Sequence, residues 1–117
     1  MSEADPVAVV QQQLDAYNAR DIEAFLSVFA DDAERFALNE AQPMLSGKAA
    51  FRERYGWIFA QSPDLHAELV HRIAVGDFVI DHEHITGWLG DPGVLEMVML
   101  FQVRDGLIVQ SHVVRAG

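Results

Sequence analysis

Apolar residues recur every three or four positions through the first half of the chain and every second position through the rest, and this change of period divides the molecule. Val7, Val10, Leu14 and Tyr17 form one helical stripe behind Asp5-Pro6, a capping side chain followed by a proline whose missing N–H costs nothing at a helix start. Asn18-Ala19-Arg20 interrupts the stripe, and Asp21 caps a second helix carrying Ile22, Phe25, Leu26 and Phe29. A short strand is predicted over 33–38, with a loop at NEAQP behind it. Ser46 is the expected cap of a third helix, whose apolar side carries Phe51, Tyr55, Ile58 and Phe59 and which ends before Ser62-Pro63-Asp64.

From Leu65 onward the residues alternate. Strands are predicted over 65–75, 78–88, 94–104 and 107–115, separated by Gly-Asp, Leu-Gly-Asp-Pro-Gly and Asp-Gly turns. Three helices followed by an antiparallel meander predict an α+β fold in one domain over 1–117. Eleven-residue strands would extend about 35 Å if flat, so the sheet must curl. Helices on its concave side leave a tapered space, where a small-molecule pocket is expected.

Composition narrows the partners. Eight Lys and Arg against eighteen Asp and Glu give a formal charge of −10, which opposes binding to nucleic acid and to anionic lipid. Without cysteine there is no disulfide, no thiolate nucleophile and no Cys-based zinc site. The start MSEADPVAVV has no basic leader, and no segment approaches the ~20 apolar residues of a membrane span. A cytoplasmic protein is expected.

The run QLDAYNARDIEAFLSVFADDAERF, with this order of elements, resembles the nuclear transport factor 2-like superfamily in its SnoaL-like and steroid delta-isomerase-like branch. The resemblance implies a cone-shaped pocket between helices and a strongly curved antiparallel sheet, in which relatives carry out isomerase, cyclase, hydrolase or no known chemistry. Matched residue by residue, the ketosteroid isomerase base falls on Ala37, the first-helix tyrosine on Gln13 and the oxyanion-hole aspartate near Met99. Alanine cannot abstract a proton, so that mechanism is not expected. Tyr55 alone matches a pocket tyrosine. An epoxide hydrolase set of Arg54, Asp77 and Asp81 has no spacing argument behind it.

The remaining titratable candidates lie in GDFVIDHEHITGW. Phe78, Ile80, His82 and His84 share one face of the second long strand, and Val79, Asp81, Glu83 and Ile85 share the other. The first set has the bulkier apolar start and no carboxylate, which assigns it to the pocket and makes His82 the candidate general base. The other reading of His82 is a neutral, hydrogen-bonded structural imidazole. His82-x-His84 behind Gly76 also resembles the first half of a cupin metal motif. The second half is missing, Glu96 and His112 could join only by coincidence of fold, and neither metal nor cofactor is expected.

Gln13, Tyr17, Phe36, Tyr55, Phe59, His84, Met97, Met99 and Phe101 are the candidate ligand-binding residues, and for most of them the simpler reading is core packing. The reading is a small-molecule-binding SnoaL-like protein, of isomerase, cyclase or hydrolase type, for a small apolar or weakly polar organic molecule. The alternative is a non-catalytic ligand-binding or dimerisation module. On the outer sheet face, Val98, Leu100, Ile108 and Val114 among Glu96, Gln102, Arg104, Gln110 and His112 predict a homodimer contact.

Overall fold

Asp5 opens α1 (Pro6–Ala19) as expected: its carboxylate accepts the Val7 N–H at 3.2 Å, and Arg20 in the left-handed region ends the helix. Asp21 caps α2 (Ile22–Leu26) through the Ala24 N–H at 3.1 Å. Phe29 is not on that helix. It begins strand β1 (Phe29–Ala37), longer than the predicted 33–38. The computed structural model describes residues 5–115.

A two-residue strand, β2 (Leu45–Ser46), pairs with β1 and was not foreseen. Ser46 therefore does not cap α3 (Lys48–Gln61); Gly47 holds that position at φ 88 and makes no side-chain cap. The sheet continues through β3 (His66–Val75), β4 (Phe78–Thr86), β5 (Val94–Arg104) and β6 (Leu107–Arg115). The predicted strand over 78–88 stops at Thr86, and a single 3-10 turn, Trp88–Gly90, follows.

The sheet order is β2-β1-β6-β5-β4-β3. The four long strands form the expected antiparallel meander, while β1 adds to β6 in parallel, so the open sheet is mixed. Bulges bend it where the register shifts, between Leu69 and His71 on β3 and opposite Gln102 and Val103 on β6. The second bulge reverses an expectation. With Val109 as the extra residue, Val103 faces Ile108, and Ile108 is fully buried rather than on the outer face.

The three helices cover the inner face. Phe25, Phe29 and Phe51 pack in sequence with ring centroids 5.0 and 4.9 Å apart, and all three are buried. Asn18 fastens α1 to β3 by holding both backbone groups of Ala67, accepting its N–H at 2.7 Å and donating to its carbonyl at 3.1 Å. No helix among the described residues is long and apolar enough to cross a membrane.

Candidate active site

Where helices and sheet part there is a cavity of about 240 Å³, below the usual ~300–1,000 Å³ of ligand sites and so suited to a small molecule. Its apolar walls come from Ile58 of α3 and from Met97, Met99 and Phe101 of β5. Four polar side chains project into it: Gln13 and Tyr17 from α1, Arg35 from β1 and Glu83 from β4. Exposed Met44, Arg54 and Arg115 and half-buried Trp88 stand around the rest of the lining.

The face of β4 is the reverse of the one expected. Asp81 and Glu83 are 0% and 5% exposed on the inner side, and His82 and His84 stand half-buried on the outer side. Pairing accounts for this: β4 and β5 match residues symmetrically about Gly90, so Asp81 lies opposite Met99 and Glu83 opposite Met97. Since the methionines face inward, the carboxylates must too. Arg72 makes the burial of Asp81 tolerable with two hydrogen bonds of 2.7 and 2.9 Å, and it also donates to Gln11 at 2.8 Å.

Glu83 has no such partner, and its pKa rises from 4.5 to about 7, chiefly through burial and secondarily through the nearby Asp81 charge. A carboxyl that titrates near neutrality can both give and take a proton. Burial likewise pulls Arg35 down to about 10, which leaves it cationic at neutral pH. Its guanidinium lies over the rings of Tyr55 and Phe51 at 5.1 and 5.4 Å, and its Nε donates to the Ser111 hydroxyl at 3.0 Å. Burial pushes the Tyr17 hydroxyl upward, so it stays protonated and can serve as a donor.

Of the candidates read from sequence, Gln13, Tyr17, Tyr55, Met97, Met99 and Phe101 line the cavity. Phe59 is core, packed edge-on against Tyr17 at 5.7 Å. Phe36 stacks on His112 at 5.0 Å, and its register partner relation places both beside the outer face. Ala37 does not line the cavity. The epoxide hydrolase set, which had no spacing argument behind it, does not assemble: Asp81 is held by Arg72, Arg54 stands on the cavity lining, and Asp77 is in the β3–β4 turn. Sequence reading missed Arg35 and Glu83; the symmetric pairing about the Leu-Gly-Asp-Pro-Gly turn was the signal that could have found Glu83.

His82, His84 and Glu96 bring three ligand atoms within 4.8 Å of one another on the outer face, the group among the described residues that could hold a metal ion. Glu96 thus supplies the third group that the sequence left to coincidence. Its pKa is lowered by a hydrogen bond from His82, whose Nε2 lies 2.6 Å from the carboxylate. An ionised carboxylate only accepts, so that Nε2 carries the proton and is not free as a ligand in this arrangement.

Three solved structures are similar to this chain. A protein of Novosphingobium aromaticivorans with a described cystatin fold superposes with a TM-score of 0.86 at 22% identity, over 96% of this chain and 99% of that one. A candidate ketosteroid isomerase from Kribbella flavida gives 0.79 at 21%, over 96% and 78%. IdmH, a candidate polyketide cyclase from Streptomyces antibioticus, gives 0.76 at 21%, over 96% and 92%. At these identities the likeness is one of fold. No curated protein matches the chain. The SnoaL-like domain family matches residues 10–111, and with that match over most of its length the chain belongs to the SnoaL-like family of the nuclear transport factor 2-like superfamily.

Proposed function

We propose that the protein is an acid–base enzyme that moves a proton on a small carbonyl compound, in an isomerisation or a ring closure, with Glu83 as the acid–base group. The observation that carries this is the buried Glu83 carboxyl on the cavity wall, its pKa raised to about 7 by burial, with the buried Arg35 cation in the same lining. The ionised carboxylate would take a proton from the carbon next to the carbonyl. The C–H electron pair becomes the enolate double bond, and the carbonyl pair moves onto oxygen, where the positive charge of Arg35 stabilises it. Return of the proton from Glu83 to a different carbon completes an isomerisation and restores the carboxylate. This replaces His82 in the role expected from sequence, since His82 does not line the cavity. The proposed reaction uses no metal.

The test is exchange of α-protons for deuterium in a panel of small enolisable carbonyl compounds, followed by NMR. Native protein should accelerate exchange for at least one member, and Glu83→Gln should slow it by about 10²–10⁴-fold, the usual worth of a positioned acid–base group. Exchange that is absent across the panel, or indifferent to Glu83→Gln, favours the non-catalytic binding module instead. We also propose that the chain pairs as a homodimer through its outer sheet face.

A further inference from the structure

We infer that the cavity is built for an organic anion, a small carboxylate whose oxygen accepts from Nη2 of Arg35. The inference rests on reading the cavity as a ligand site, as above, and on Arg35, which that reading also uses; its test therefore reads carboxylate preference rather than proton transfer. It departs from the neutral or weakly polar ligand expected from sequence.

Arg35 is 5% exposed, and its Nη2 is buried without a hydrogen-bond partner. Such an atom normally costs too much to leave unpaired, more so on a charged group. The protein meets part of the cation's needs with two ring faces and one hydroxyl, while no ion pair to Arg35 forms among the described residues. Compare Arg72, only half-buried on the same sheet yet given a carboxylate with two hydrogen bonds. A second buried atom facing the same cavity, Oε1 of Gln13, is also unpartnered at 7% residue exposure. That oxygen needs a donor, which a hydroxyl elsewhere on the ligand would supply; the carboxylate itself is selected by Arg35 Nη2 alone.

Charge around the cavity points the same way. The chain carries −10, yet the lining holds three arginines, Arg35, Arg54 and Arg115, against one carboxyl, Glu83. Arg54 and Arg115 are exposed and stand over Trp57 and Trp88 at 5.4 and 5.8 Å, cations placed on ring faces rather than neutralised by acids. An anion approaching an acidic protein would find its favourable potential here. The apolar walls of Ile58, Met97, Met99 and Phe101 would take the body of the molecule.

The test uses matched probes, 3-phenylpropanoate and 3-phenylpropanamide, titrated calorimetrically into the full chain. The carboxylate should bind about 10–100-fold more tightly than the amide, the worth of one buried charge-assisted hydrogen bond. Arg35→Gln should abolish that preference, and Arg35→Lys should keep part of it if the glutamine variant fails to fold. Arg115→Gln should weaken the carboxylate and reduce its salt dependence while leaving the preference in place. Equal binding of the two probes, preference for the amide, or no carboxylate binding up to about 5 mM would overturn the inference. Glu83→Gln separates this from the proposed reaction: carboxylate preference that survives in it without any proton exchange by native protein would sink the reaction and keep the anion site. Exchange by native protein without carboxylate preference would do the reverse.

Discussion

Glu83 shows how one residue can serve a site at the expense of the fold. In the folded chain it titrates near 7 instead of 4.5, so between those values the folded state holds a proton that the unfolded state has released. Folding is therefore favoured at the acid end of the window, and stability falls as pH rises from 4.5 through 7, by about 3 kcal/mol in all for a shift of this size. Glutamine has nothing to titrate. Urea unfolding at pH 5 and pH 8 should thus show a loss in the native chain that Glu83→Gln largely removes, the difference between proteins cancelling the histidines. A native chain as stable at pH 8 as at pH 5 relative to the variant would mean that Glu83 is not held where charge is costly. The neighbouring Asp81 is also fully buried, but Arg72 meets both its oxygens. Neither fate was legible from DHEH, in which both faces of a strand carry polar groups and composition cannot say which face is buried.

At the scale of elements, what the sequence makes legible is whatever a local cause decides. Asp5 and Asp21 cap helices because each has the side chain and the position to do so, and the four long strands follow from alternation between turn residues. The two-residue β2, the parallel seat of β1 on β6 and the Val109 bulge have no local cause and leave no trace in the pattern; the last of these moved Ile108 to the core. Arg35 reads as one more charge on a short strand until Ser111 and the rings of Phe51 and Tyr55, far away in sequence, close around it. Gly87 is a similar case. It sits at φ 73 between β4 and the 3-10 turn, and a Cβ there would come within 2.3 Å of the Asp64 carbonyl oxygen. Backbone opposes it, so nothing can move cheaply. The turn it allows is tied to α3 by the Ser62 hydroxyl, which accepts the Leu89 N–H at 2.9 Å, and this sets Trp88 on the cavity wall. Gly87→Ala should cost about 2 kcal/mol or more in unfolding free energy and weaken ligand binding together with it. Unchanged stability on denaturant titration would show the turn to be softer than its contacts imply.

For the whole molecule, the register across the sheet aligns Phe36, His112, Leu100, Ile80 and Ile73 on five successive strands of the outer face. Val114 and Val98 lie in the next row beside His82 and His71, and beyond them come Glu96, His84 and Glu68. The outer face thus has an apolar row through its middle and becomes polar toward one edge, although Ile108, once expected there, has gone to the core. A row that runs across five strands is too continuous to be the scattered apolar exposure of an ordinary surface. A second copy related by a two-fold axis covers it with itself and leaves no open end. On this reading Leu100, at the centre strand, lies under the contact, and His112, stacked on Phe36, lies within it. Analytical ultracentrifugation at tens of micromolar should find a dimer for the native chain and a monomer for Leu100→Glu, since the variant buries two unpaired carboxylates at one centre. The cavity opens on the other side of the sheet, so the variant's monomer should still bind its ligand. A native chain that sediments as a monomer would remove the dimer, and a dimer untouched by Leu100→Glu would place the contact on another face.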